Sequence, residues 1–121
     1  MENKMEEVWK DVKDFPGYKV SSLGRIRGPL KIFGMKPDKD GYVRVSLWKG
    51  GKQYTKTVHL IVCTTFHGEK PSPELLALHR DDIKHNNTPG NLYWGTKMDN
   101  IRDYLGNGRV YRGGSRKVHL K

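Results

Sequence analysis

Three polar residues in the second half of the chain have side chains that could take part in hydrolysis: His79, Asn91 and Asn100. Asn91 follows His79 by twelve residues, and Asn100 follows Asn91 by nine. A neutral imidazole can accept a proton from water near neutral pH. A carboxamide oxygen is a hard ligand of the kind that Mg²⁺ accepts. The spacing alone is a weak signal, so its meaning depends on the elements that bring the three side chains together.

The segment that carries these residues is predicted to begin with two strands joined by a loop. The apolar run at residues 75–79 is typical of a short strand, and it ends at His79. Residues 80–90 are rich in Asp, Asn, Pro and Gly, which predicts a loop. Residues 91–94 then predict the returning strand, so Asn91 would open the second strand.

A helix is predicted directly after this pair of strands. Thr96 and Asp99 have the spacing of a capping box, in which two side chains satisfy the open backbone donors of a helix start. Gly106 is suited to end the helix. The residues expected to form its buried stripe are Met98, Ile101 and Leu105.

The first half of the chain predicts a small antiparallel β-sheet followed by a helix. Gly, Pro and Asp-rich turns separate short segments of strand character. Residues 42–47 alternate, with Val43, Val45 and Leu47 expected to face inward. Residues 58–66 carry apolar side chains at helical spacing, and Gly68 predicts the end of that helix. We therefore expect an α+β fold.

In this order, the segments resemble the HNH endonucleases, a branch of the ββα-metal nucleases. The matching residues are Leu78–Asp82, Asn86, Asn87, Asn91–Thr96, Asp99, Asn100 and Asp103. Upstream, residues 9–12 and 18–27 resemble the N-terminal modular motif often found in phage and intron-encoded members, and residues 58–62 with Phe66 resemble the helix that joins the two parts. The resemblance covers about residues 8–112.

This resemblance implies three parts and a fold. Residues 1–57 would form a β-rich DNA-binding motif with a small antiparallel sheet. Residues 58–106 would form the helix and the ββα-metal nuclease core. Residues 107–121 would form a basic, flexible C-terminal tail, in which no acidic residue offsets the basic ones.

The resemblance also implies a role for each of the three polar residues. His79 would be the general base that takes a proton from water. Asn91 matches an asparagine whose carbonyl orients that histidine, and Asn100 matches a metal ligand. The cofactor would be a divalent ion, Mg²⁺ or alternatively Mn²⁺. The reaction would be hydrolysis of DNA phosphodiester bonds, and a single active site per chain predicts nicking of duplex DNA.

One position departs from the family pattern. Many HNH enzymes carry a second metal ligand immediately before the base, and this chain has Leu78 there. Two consequences are open. Either Asn100 is the only protein ligand, with water and phosphate oxygens completing the shell, or the site binds metal too weakly to cut. The second case would leave a DNA-binding module of HNH ancestry without catalysis.

Several other polar and aromatic residues are expected to have structural roles. His59 is expected to pack or hydrogen bond rather than to contact metal. Asp81 and Asp82 are expected to stabilise the loop by hydrogen bonds. The three tryptophans are expected in the core, although Trp48, beside a predicted hairpin turn, could stack on a base.

The charge balance predicts a polyanionic partner. The 121 residues include 23 Lys and Arg against 13 Asp and Glu, a formal net charge of +10. With the HNH resemblance, the expected partner is double-stranded DNA. The residues expected to contact it are Arg25, Arg27, Arg44, Arg80, Arg102, Arg109, Arg112, Arg116 and Lys117. An RNA-binding protein is the alternative that charge alone leaves open, but the spacing of His79, Asn91 and Asn100 argues against it.

The rest of the composition limits the classes of protein that this chain can belong to. No apolar stretch approaches the length of a membrane span, so we expect no membrane partner. The single cysteine, Cys63, excludes an internal disulfide, and its apolar neighbours predict a buried thiol. We expect an intracellular protein, located in the cytoplasm of a bacterial host if a phage encodes it, that acts as a monomer or weak homodimer.

Overall fold

The structure, a computed structural model, describes residues 6–34 and 36–108. These residues form seven short strands and two α-helices, which confirms the predicted α+β class. The elements are β1 (Trp9–Asp11), β2 (Lys19–Ser21), β3 (Ile26–Arg27), β4 (Arg44–Lys49), β5 (Lys52–Thr57), α1 (Val58–His67), β6 (Leu76–His79), β7 (Leu92–Gly95) and α2 (Lys97–Gly106). Neither helix in this part of the chain is long and apolar enough to cross a membrane.

Strands β1, β2 and β3 form an antiparallel sheet in that order. Val20 and Ile26 lie opposite each other in it and are fully buried. Residues 22–25 connect β2 to β3, and we call this segment the 22–25 turn. The buried hydroxyl of Ser21 accepts hydrogen bonds from the backbone N–H groups of Leu23 (3.1 Å) and Arg25 (3.2 Å). The turn is therefore tied from within by one side chain.

Strands β4 and β5 form a hairpin, paired from Arg44 with Thr57 to Lys49 with Lys52. Gly50 and Gly51 close it with φ of +60° and +77°, as a tight hairpin turn with two left-handed residues requires. The inward positions predicted from alternation are confirmed: Val43, Val45 and Leu47 are all buried. The expectation that Trp48 lies in the core is wrong. Trp48 is 54% exposed because it follows the inward Leu47 and so points to the opposite face.

Helix α1 begins where β5 ends and packs against β2, β5, β6 and β7, so it lies at the centre of the fold. Its buried residues are Val58, Ile61, Val62 and Cys63. As predicted, it ends at Gly68, where φ is +87° and the N–H donates to the carbonyl of Thr64. Burial raises the pKa of the Cys63 thiol to about 12, which confirms the prediction of a buried, unreactive cysteine.

Strands β6 and β7 form the second hairpin, and α2 follows it. The predicted capping box is confirmed: the Thr96 hydroxyl accepts from the Asp99 N–H (3.1 Å), and the Asp99 carboxylate accepts from the Thr96 N–H (2.9 Å). The Tyr93 hydroxyl of β7 donates to the Asp103 carboxylate of α2. Burial raises the pKa of Tyr93, and this hydrogen bond raises it further.

The predicted apolar stripe of α2 is wrong. Met98 and Leu105 are 70% and 49% exposed, Ile101 is half-buried, and the buried residue of the helix is Asn100. The helix packs against β7 with the side that carries Asn100 and Asp103. The face of α2 that contacts the hairpin therefore carries polar residues, and two of the three residues expected to be buried, Met98 and Leu105, lie largely in solvent.

Removing the Thr96 cap should destabilise the protein because Thr96 begins the helix that carries Asn100. Thr96→Ala is expected to lower the free energy of unfolding by about 1 kcal/mol, as for other caps of this kind. Thr57→Ala is the matched control, since Thr57 also caps a helix in extended backbone but its side chain makes no cap hydrogen bond. Urea unfolding of both variants measures the difference. Equal destabilisation by the two substitutions would contradict the prediction.

Candidate active site

His79 is the last residue of β6 and is fully buried. Its Nε2 lies 2.8 Å from Oδ1 of Asn87, in the loop between β6 and β7, and Asn87 is itself 5% exposed. A carboxamide oxygen can only accept a hydrogen bond, so Nε2 of His79 donates and carries a proton. In the neutral ring the lone pair able to accept a second proton is then on Nδ1.

Asn91 does not make the contact with His79 that the family resemblance implied. Its carboxamide donates to the Asp81 carboxylate (2.9 Å) and to the Asn86 carbonyl (2.9 Å), and it accepts from the Asp81 N–H (3.2 Å). The reason is the strand register: His79 pairs with Leu92, so Asn91 falls just outside the paired strands, in a 3₁₀ turn at the mouth of the loop. The side chain on the His79 ring belongs instead to Asn87, which sequence reasoning placed in the motif without a role.

Asp81 organises the loop, which confirms the hydrogen-bonding role predicted for it. Its carboxylate accepts from the Ile83 N–H (2.9 Å), from the Asn86 amide (2.6 Å) and from Asn91. Burial alone would raise the pKa of Asp81, but these hydrogen bonds outweigh it and lower the pKa below its usual value. The ends of the loop are further joined by the Arg80 N–H, which donates to the Asn91 carbonyl (2.8 Å).

The ring of His79 also lies against another imidazole, that of His59. The imidazole of His59, on α1, lies 5.0 Å from the His79 ring centroid to centroid. His59 in turn stacks on Tyr42 at 5.4 Å, with the ring planes 28° apart. His59 therefore has a packing role, as predicted. It fixes one face of the His79 ring, while Asn87 fixes its Nε2 edge.

Asn100 is the fourth residue of α2 and is 3% exposed. Its carboxamide makes no hydrogen bond with any other residue in the described ranges 6–34 and 36–108. Neither polar atom of this carboxamide is fully enclosed, so its oxygen remains accessible to a ligand.

The donors near this helix suit a hard, hydrated cation. Over the described residues there is no group of three or more His, Cys, Asp or Glu side chains that could hold a metal ion. Leu78, fully buried opposite Tyr93 in the hairpin, has no donor atom to add. Zinc sites take three or four side-chain ligands, whereas Mg²⁺ retains several waters and is held by one or two carboxylates together with phosphate oxygens. The single carboxamide oxygen of Asn100 is therefore closer in chemistry to what Mg²⁺ accepts than to a zinc site.

The predicted DNA-contacting arginines in the described residues all have partners. Three form ion pairs at exposed or half-exposed sites: Arg25 with Glu7, Arg44 with Asp38 and Arg102 with Asp99. Two lie over aromatic rings, with the guanidinium carbon 4.4 Å from each ring centroid: Arg27 over Trp9 and Arg80 over Tyr93. The remaining predicted contacts, Arg109, Arg112, Arg116 and Lys117, lie outside the described residues, as does most of the predicted basic tail.

Comparison with known proteins matches both halves of the chain to families. Residues 7–48 match the family model described as the NUMOD4 motif, and residues 56–102 match the one described as HNH endonuclease. The chain is 37% identical over 105 residues to DNA endonuclease I-HmuI of Bacillus phage SP01, which covers 84% of this chain and 60% of that protein. It is 31% identical over 88 residues to the uncharacterized HNH endonuclease L247 of Acanthamoeba polyphaga mimivirus, covering 71% of this chain and 22% of that protein.

A solved structure shares the fold as well as the sequence. This structure concerns DNA binding and cleavage by the HNH homing endonuclease I-HmuI. The two chains superpose with a TM-score of 0.76 and are 33% identical, and the match covers 89% of this chain and 63% of that one. The chain thus spans less than two thirds of the length of each of these relatives. Since the two family segments occur in the predicted order within one shared fold, the chain combines an N-terminal NUMOD4 motif with an HNH endonuclease domain, as the family resemblance implied.

Proposed function

We propose that the chain is a metal-dependent endonuclease that hydrolyses phosphodiester bonds of duplex DNA, one strand at each active site. The observation that carries this is that the segment matching the HNH family contains two buried polar side chains, His79 at the end of β6 and Asn100 in the first turns of α2. I-HmuI, a relative along most of this chain, is named a DNA endonuclease, which supports the same substrate class here.

In this proposal His79 is the general base. Its Nε2–H is held by Asn87, so Nδ1 is the nitrogen that takes the proton from the attacking water. Asn91 and Asp81 keep the loop closed behind it through their shared hydrogen bonds. Asn100 would hold Mg²⁺ or Mn²⁺ through its carboxamide oxygen. When bound, such an ion supplies stabilisation of the negative charge that develops on the phosphate and the departing 3′ oxygen.

The N-terminal motif, residues 1–57, is proposed to grip the duplex. The ion pair of Arg44 with Asp38 lies at a partly exposed site, where a pair contributes little to stability, so this arginine can exchange a carboxylate for a phosphate at small cost. Arg27 and Arg80 have no carboxylate partner among the described residues and are the strongest candidates for phosphate contact. Each phosphate that is neutralised adds sequence-independent, salt-sensitive affinity.

A second candidate function is a DNA-binding module that has lost catalysis. Two observations favour it: Leu78 offers no ligand where many HNH enzymes have one, and the His79 ring is fully buried. Under this alternative the chain binds duplex DNA and leaves it intact with every divalent metal. The two candidates therefore differ in one measurable outcome.

The test is conversion of supercoiled plasmid to the open-circular form. We expect this conversion with Mg²⁺ or Mn²⁺ and none when the metal is removed by a chelator, with linear product appearing only after the open-circular form. Gel-shift binding to the same DNA is measured alongside. Binding without cleavage under any divalent metal would overturn the endonuclease proposal and support the lapsed module.

A further inference from the structure

We propose that Asn87 is a positioning residue for His79 and that the 22–25 turn of the N-terminal motif fixes Asn87 in place. The NUMOD4 segment would then be needed to hold the His79 side chain in its catalytic orientation as well as to bind DNA. The catalytic part of this inference rests on the proposed function, in which His79 is the base. The structural part, that the turn sets the state of the His79 ring, stands independently.

The first link is the contact between Asn87 and His79. Both residues are buried, and the 2.8 Å hydrogen bond joins the only acceptor of the Asn87 carboxamide to Nε2 of the imidazole. Because the ring has two nitrogens that can each carry the proton, this hydrogen bond selects one tautomer. It also helps to orient the ring, which the tilted ring of His59 contacts as well, with the two planes 44° apart.

The second link is a close approach between Gly24 and the backbone of Asn87. A Cβ placed on Gly24 would lie 2.7 Å from the Asn87 carbonyl oxygen and 3.1 Å from its Cβ, so only glycine fits there. The backbone φ of Gly24 is +82°, a conformation that side chains also disfavour. The N-terminal sheet therefore contacts the loop between β6 and β7 at Asn87, the residue whose side chain holds His79.

The third link is the rigidity of the turn. The Ser21 hydroxyl accepts two backbone hydrogen bonds within it, the Gly24 N–H donates to the Ser21 carbonyl (2.9 Å), and the Ser22 N–H donates to the carbonyl of Val8 (2.8 Å). Ser21 is itself fully buried. A turn tied at this many points acts as a fixed support, so a change at Gly24 must be absorbed by the loop that carries Asn87.

The test compares substitutions on both sides of this contact. Asn87→Leu keeps the size of the side chain and removes the acceptor, whereas Asn87→Asp keeps an acceptor. We expect Asn87→Leu to lower the single-turnover cleavage rate about 10²-fold, since misplacement by about 1 Å can cost that much. DNA affinity should be unchanged, and Asn87→Asp should restore most of the rate.

Gly24→Ala should lower the rate in the same way by a smaller factor. Gly17→Ala is the matched control: Gly17 lies in the same motif at a φ of +92°, but the atom nearest to a Cβ placed there, Pro29 Cγ, is at an ordinary contact distance of 3.5 Å. Ser21→Ala is a second way to disturb the 22–25 turn, because it removes the hydroxyl that accepts two backbone hydrogen bonds and adds no atoms. Thermal unfolding of each variant identifies the fraction that is folded.

A readout independent of cleavage is the ¹⁵N spectrum of the His79 ring. Wild type and Gly17→Ala should show the Nε2–H tautomer, and Asn87→Leu, Gly24→Ala and Ser21→Ala should lose that preference. An unchanged His79 spectrum in folded Asn87→Leu, or equal behaviour of the Gly24 and Gly17 variants, would overturn the inference. Should wild type bind DNA without cutting it, the endonuclease proposal alone fails, because the tautomer measurement still tests the link between the turn and His79.

Discussion

Replacing His79 with alanine should lower the rate of plasmid nicking about 10²–10⁴-fold, the usual contribution of a positioned general base. The imidazole is the candidate group that takes a proton from water, and the substitution removes it without touching the exposed arginines. DNA binding should therefore stay at the wild-type level. The measurement is single-turnover cleavage of supercoiled plasmid with Mg²⁺, together with gel-shift affinity for the same DNA.

The control for this prediction is His85→Ala. His85 lies in the same loop region as Asn87 but is exposed, so its removal should leave both cleavage and binding unchanged. His79 is a core residue, and its variant must first be shown to be folded by circular dichroism and thermal unfolding. A folded His79→Ala protein that nicks DNA as fast as wild type would remove His79 from the mechanism.

Replacing Asn100 with alanine should have an effect of similar size. A metal ion contributes several kcal/mol of charge stabilisation in such reactions, and each 1.36 kcal/mol is tenfold in rate, so a loss of about 10²–10³-fold is expected. The physical reason is that Asn100 supplies the one buried carboxamide oxygen that is available as a ligand on α2. Asn100→Asp should restore cleavage, because a carboxylate is also a hard oxygen ligand.

Direct metal binding separates this explanation from a general loss of structure. Calorimetric titration with Mn²⁺ should show weaker binding to Asn100→Ala than to wild type or Asn100→Asp. Asn107→Ala, which removes an exposed carboxamide beyond the end of the same helix, is the control and should bind Mn²⁺ as wild type does. Equal Mn²⁺ affinity for wild type and the Asn100→Ala variant would rule out Asn100 as the ligand.

The parts of the fold that follow from local patterns could be predicted from the sequence. The alternation at Val43, Val45 and Leu47 and the cap at Thr96 report short-range physics, namely which side of a strand is buried and which backbone donors need acceptors. The end of α1 at Gly68 belongs to the same class, since a left-handed residue favours glycine. Each of these features was found where it was expected.

The parts that depend on packing between distant segments could not be predicted in this way. Met98 and Leu105 have helical spacing, but α2 turns a polar side towards its hairpin, so the spacing marked the wrong face. The partner of His79 depends on the register of β6 against β7, which the motif does not specify. Asn87 could have been suspected only from its place in a pair of consecutive asparagines inside the loop.

Charge predicts a class of partner but does not identify individual contacts. The net charge of +10 predicted a polyanion, yet Arg25, Arg44 and Arg102 each face a carboxylate in the folded chain. Asp99 and Arg102 meet through local helical spacing, but Glu7 is 18 residues from Arg25 in the sequence and reaches it only in the folded chain. A count of basic residues therefore overstates the charge that is available to phosphates before DNA arrives.

The approach of Gly24 to Asn87 has a consequence for biosynthesis. A ribosome releases the 22–25 turn before the loop that carries Asn87, so their contact can form only once residue 87 has emerged. Until then His79 lacks the hydrogen bond from its Nε2 to Asn87. In a nascent chain, the order of synthesis thus places the turn ahead of the residue that it contacts.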